Sequence, residues 1–306
     1  MSSSVNVAKR FFSNKSAVIS LLIILMYVFT AIGFELASAV SENSGKVPAH
    51  METSERVYAP PSKSHWFGTD YQGRDVLLRA AAASSTALKV GIVSGVIAAV
   101  IGVAIGTAAG FFGGKTDDIA VWIYSTFASM PSLLFILAFA MLVSRGYLSP
   151  ALLGAVKAAA AFLRIEPGTF AVYCAIGLTG WVTLCRTVRA ETMKLKKMPY
   201  VEAAMVTGVR PLTIIRRHIV PNVFHLVIIY FTLTFAGAVM LEVIVSYLGF
   251  GVQNAPSWGV MISDGQEQLW RGIWWELAAA TGFLFILVLA LNILGDALRD
   301  SFDPKN

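Results

Sequence analysis

Six long apolar stretches decide what this chain can fold into. They cover residues 17 to 38, 84 to 112, 119 to 143, 168 to 185, 223 to 248 and 273 to 295. A bilayer core about 30 Å thick needs about 20 mostly apolar residues per helix, and each stretch meets or approaches that length. Within them only Glu35, Lys89, Glu242 and Glu276 carry charge, and all but Glu242 lie near enough to an end to reach the headgroups. With 56% hydrophobic residues, 14% charged and a mean hydropathy of +0.68, the chain is no ordinary water-soluble enzyme. The expectation is an all-α integral membrane protein with six transmembrane helices.

The net charge of +6 matters through its placement. With six spans both termini share a side, and the segments on that side (1 to 16, 113 to 118, 186 to 222, 296 to 306) hold 14 Lys and Arg in 70 residues. The opposite segments hold 9 in 93. The denser side is cytoplasmic by the positive-inside rule, so N- and C-termini and the 186 to 222 loop belong there and a nucleic-acid partner is not indicated. Residues 9 to 39 could also be read as a cleaved signal peptide ending in Ala37-Ser38-Ala39, but the apolar run is long for one. Residues 147 to 163, with Lys157, are too short for a seventh span and read as a short helix in an extracytoplasmic loop.

Gly91-x-x-x-Gly95 and Gly102-x-x-x-Gly106-x-x-x-Gly110 put small residues on one helical face, a packing signal. Pro131 falls inside the third span, where it removes a backbone hydrogen bond and favours a kink, static or hinge-like. Glu242 is the acid deep in a span. It either lines or gates a water-filled path, or its carboxyl is hydrogen-bonded to a neighbour, Ser246 included.

The 186 to 222 loop is too long for a turn and too patterned for a linker. Residues 199 to 207 favour a short helix after Pro199, Gly208 permits a left-handed turn, and Pro211 suits the start of a second helix running toward the fifth span. Glu202-Ala203-Ala204, then Gly208, then Ile219-Val220-Pro221 resembles the EAA loop of binding-protein-dependent ABC importer permeases, with Val220 where Leu is usual. His65-x-x-Gly68-Thr69-Asp70-x-x-Gly73-Arg74-Asp75 is similar to the segment before the second helix in the dipeptide, oligopeptide and nickel branch of that family. So are Tyr247-Leu248-Gly249-Phe250-Gly251, Pro256-Ser257-Trp258-Gly259, and Asn292-x-x-Gly295-Asp296-x-x-Arg299-Asp300 with Asp303-Pro304.

The resemblance covers most of residues 65 to 304 and fits the C-type membrane subunit in layout. It implies the type I importer permease fold: residues 1–83 as tail, first helix and long outer loop, and 84–306 as the core permease domain with five helices. It implies an inner-membrane location and a coupling role for Glu202, Ala203, Ala204, Gly208, Ile219 and Pro221, with the EAA helix seated in a groove of a cytoplasmic ATPase. It also implies a homologous permease as heterodimer partner, two cytoplasmic ATP-binding subunits that carry ATP and Mg, and an extracytoplasmic solute-binding protein. The implied cargo is a di- or oligopeptide, with nickel chelates or another small solute as alternatives. The 144 to 168 stretch is longer than is usual for the family, which leaves its outer face open.

Other motifs carry less. Gly110-Phe-Phe-Gly113-Gly114-Lys115-Thr116 has Ala109 where a phosphate loop needs glycine, and it joins two apolar spans rather than a strand to a helix. His50, His65, His218 and His225 offer no metal-ligand spacing, although His50 and His65 with Glu52 and Glu55 could meet outside the membrane. Cys174 and Cys185, eleven residues apart on one helix, cannot pair. No nucleophile with base and orienter is present, so the chain is read as a non-catalytic subunit with no cofactor or metal of its own. A secondary transporter or channel is the rival class, and it would carry more mid-membrane charge than Glu242 alone.

Overall fold

Proline opens helix after helix in this chain, and the order of elements follows from it. In the computed structural model, which describes residues 10–147, 149–252 and 255–302, α1 (Lys15–Asn43) leads through a long polar loop to α2 (Val76–Phe112). Then come α3 (Gly114–Ser129), α4 (Ser132–Ser144), α5 (Pro150–Phe162), α6 (Pro167–Leu195) and α7 (Pro199–Val206). The chain continues with α8 (Pro211–Ile214), a π turn (Ile215–Ile219), α9 (Val220–Tyr247), α10 (Trp258–Gln268), a 3-10 turn (Leu269–Arg271) and α11 (Trp275–Phe302). Pro150, Pro167, Pro199, Pro211 and Pro221 each stand in a first turn, where the missing N–H has no intrahelical partner to lose. The closing Asp303-Pro304 lies outside the described residues.

Five helices are long and apolar enough to cross a membrane: α1, α2, α6, the run from α8 through α9, and α11. The sixth expected span, 119 to 143, is a broken pair, with α3 and α4 bent by 92°. The kink expected at Pro131 is therefore a full break. Met130 and Pro131 both take extended backbone (ψ 133° and 115°), because proline pushes its predecessor out of the helical region and cannot itself donate to the helix ladder. Helix α2 starts at Val76, well before the boundary at 84, with Asp75 as N-cap accepting from the Leu78 N–H at 3.0 Å. Residues 150–162 form α5, too short to span at about 1.5 Å per residue.

Helix α6 is the axis of the bundle. Some 67% of its apolar window is enclosed, against 22% for α1, whose Ile19, Leu22, Phe29 and Ile32 face outward as residues bathed in lipid do. Lipid tails are as apolar as leucine, so close packing rather than burial from water joins such helices. The glycines supply it. A methyl group on Gly106 would stand 2.7 Å from the Cys185 carbonyl oxygen, and one on Gly110 2.6 Å from that of Arg189, so α2 lies directly against the α6 backbone. Gly91 and Gly95 serve a different neighbour, receiving the rings of Phe235 and Phe231 from α9. The main core gathers Tyr173 and Ile176 with Val90, Val239 and Leu287.

Candidate functional site

Helix α7 hangs between α6 and α9 on a small core of its own. Val201 is fully buried against Ile214, Ile219 and Val223 on one side and Phe111, Leu184 and Val188 on the other, with Ala204 and Met205 packed beside it. Positions 201, 204 and 205 share one helical face. The opposite face, Glu202, Ala203 and Val206, is open, and Val206 is 88% exposed. Leu212 (74% exposed), Tyr200 and Met198 extend this uncovered apolar surface, and the Glu202 carboxylate has no partner among the described residues.

The turn after α7 depends on Gly208, at φ +77°. Its N–H donates to Met205 O (3.1 Å) and the Val209 N–H to Ala204 O (3.1 Å), the paired bonds that close a helix on a left-handed residue. A side chain there would meet empty space, so backbone conformation alone calls for glycine. Pro211 starts α8, Ile219 is buried, and exposed Pro221 opens α9. Asn222 Nδ2 donates to His218 O at 2.6 Å and reaches the Tyr200 hydroxyl at 3.4 Å, linking α7 to the start of α9. At the α7 end of α6, Arg189 holds Asp117 of α3 with two hydrogen bonds. The predicted loop residues thus form one rigid unit continuous with two long helices.

Most of the remaining family-motif residues lie at the other end of the bundle. Asp70, fully buried, accepts from Arg74 Nε (2.7 Å), Arg79 Nη1 (2.8 Å) and the N–H groups of Gln72 and Arg74. Gly68 (φ +63°) and Gly73 (φ +77°) shape this loop, and His65 Nδ1 lies 2.8 Å from Asp75 Oδ2. Trp275 Nε1 donates to Thr69 O, and Trp258 Nε1 to Ala80 O. Gly259 receives the Val243 carbonyl, and Gly249 turns the chain at φ +81°. Asp296 and Arg299 sit exposed on the last turns of α11, at the α7 end, where Phe302 meets the His225 ring of α9.

Glu242 is 1% exposed, and its Oε1 accepts from Ser246 Oγ (2.6 Å) and Ser257 Oγ (2.9 Å). These bonds tie α9 to the cap of α10, where Ser257 Oγ accepts from the Gly259 N–H. Pro131 stands at the α3–α4 break, so neither residue joins the α7 unit.

Two expectations change. Glu276 does not reach for headgroups; it is 1% exposed and paired with Arg79 at 3.2 Å. Glu35 takes Lys89 at 2.5 Å. The Asp70–Arg79–Glu276 triad escaped the sequence reading because hydropathy placed Arg79 in a loop, although opposite charges flanking neighbouring spans were a usable signal. Around it, burial raises the Asp264 pKa, a rise that Arg79 partly offsets. Burial, then the charges of Arg79 and Arg74, lower that of His50.

A multi-pass helical membrane protein with a short helix displayed between its fourth and fifth spans is the class these features define. The chain belongs to the binding-protein-dependent transport system inner membrane component family, whose sequence pattern matches residues 102–306. It is 33% identical to the oligopeptide transport system permease protein OppC of Bacillus subtilis, over 97% of this chain and 88% of that one. It is 34% identical to OppC of Escherichia coli K12 (97% and 90%) and 33% identical to the dipeptide transport system permease protein DppC of Bacillus subtilis (80% and 70%). It is a membrane permease subunit of an ABC transport system.

Proposed function

We propose that this chain carries di- or oligopeptides inward as half of a translocation path, paired with a homologous permease. In this reading two cytoplasmic ATP-binding subunits grip α7, an extracytoplasmic protein delivers the peptide, and both termini are cytoplasmic. The observation that supports it best is the exposed face of Glu202, Ala203 and Val206 on a helix whose other face is locked into its own core. A solvent-facing apolar surface rimmed by one free carboxylate suits a protein partner. Because α7 is bonded through Gly208 and Asn222 to α9 and runs directly from α6, displacement of α7 moves the ends of two spans together. Nucleotide shifts the inward-open and outward-open populations only through contacts that differ between them, and α7 supplies such a contact. ATP and Mg belong to the partner subunits.

The test is peptide uptake by the assembled transporter in proteoliposomes. Glu202→Lys and Gly208→Pro abolish ATP-driven uptake while the chain still inserts; the first reverses the charge at the docking face, and the second cannot adopt a positive φ. Uptake that survives without ATP and collapses with an uncoupler contradicts the reading in favour of a secondary transporter.

A further inference from the structure

At the end of the bundle away from α7 lies a cavity of about 580 Å³ between α1, α2, the loop after α1, the α5–α6 corner and the α9–α10 loop. That is within the roughly 300–1,000 Å³ of small-molecule sites. Its wall has an apolar part, with Phe34, Met51 and Val252, and a charged part. Two of the charges neutralise each other: Glu35 accepts from Lys89 Nζ at 2.5 Å and from Ser85 Oγ. Glu166, also in the wall, is already partnered. Arg164 is different: it stands exposed at the rim, its guanidinium has no hydrogen bond or ion pair among the described residues, and it meets the Glu35 charge only at longer range.

The backbone marks the same residue. Helix α5 ends with Arg164 N–H donating to Ala161 O and Ile165 N–H to Ala160 O, which puts Arg164 in the left-handed position at φ +52°. Glycine fits that position without steric cost, yet arginine occupies it. Such strained positions cluster at functional sites, which makes Arg164 a candidate for one. Buried Ile165 anchors the backbone of the corner beside the cavity.

We infer that this cavity binds a short peptide by its C-terminal carboxylate, on Arg164, with the terminal side chain against Phe34, Met51 and Val252. The planar guanidinium fork matches a carboxylate, and because Glu35 is held by Lys89 and Ser85 the donors of Arg164 stay open to a ligand. The inference rests on the peptide-carrying reading above and adds the place and the polarity of capture.

Calorimetry on the assembled transporter in neutral phosphatidylcholine nanodiscs, without the binding protein, tests it with Ala-Phe and its C-terminal amide. The acid binds about tenfold or more tightly than the amide, the worth of one charge-assisted bond. R164Q abolishes that preference. R164G, which also relieves the left-handed residue, abolishes it while melting no lower than the parent. Equal affinity for acid and amide, a preference unchanged in R164Q, or a preference erased by phosphatidylglycerol in the disc overturns the proposal, the last because a lipid headgroup then owns the site. ATP-driven peptide uptake is measured on the same preparation: uptake without acid selectivity sinks the cavity alone, whereas absent uptake sinks the peptide-carrying reading.

Discussion

Arg79 bridges two carboxylates at the end of the bundle away from α7. It holds Asp70 and Glu276 at once, all three at most 8% exposed, and removing it strands Glu276 and leaves Asp70 to Arg74. Breaking such a buried pair from one side costs about 3–5 kcal/mol. Arg79→Met therefore lowers the melting temperature sharply in detergent, whereas Arg79→Met with Glu276→Gln, which leaves the Asp70–Arg74 pair in place, recovers most of the loss; a single mutant as stable as the parent contradicts the triad's role. His50 gives the loop beside it a pH response. Its folded-state pKa is lowered below 6.5, so the neutral ring is favoured and its contribution to stability is present above pH 6.5 and lost as pH falls through the folded value. Amide protection factors in residues 44–60, corrected for the intrinsic pH dependence of exchange, fall below pH 6.5 in the parent, and His50→Gln loses that step.

At the scale of elements, the α2–α6 contact is the one to break. Gly106 and Gly110 let two helix backbones meet, and Gly110→Leu would force them apart against the Arg189 carbonyl and Thr192. Overpacking of this kind costs about 1–3 kcal/mol, read as a loss of thermal stability, while Gly113→Ala, in open space, reports backbone strain alone at φ +68°. Helices were the legible part of the sequence, since apolar run length and proline position announce them directly. The break at Pro131 was legible in place but not in size, because a 92° bend depends on the extended backbone of Met130 as much as on the ring. The start of α2 was illegible because hydropathy counts a paired arginine as it counts a free one.

Across the whole molecule the two ends differ in kind. The end away from α7 is fixed by enclosed charges and tryptophan hydrogen bonds, and the α7 end by a detached apolar core beneath an uncovered face. The Glu-Ala-Ala and glycine spacing located α7, and what it could not convey is which face is free; that follows from Val201, Ala204 and Met205 turning inward. The most direct measurement is site-specific crosslinking from Glu202→Cys in a Cys174→Ala, Cys185→Ala background of the assembled transporter. The account predicts a crosslink to a nucleotide-binding subunit whose yield changes with ATP. A residue 202 that never meets such a subunit, with or without nucleotide, contradicts it.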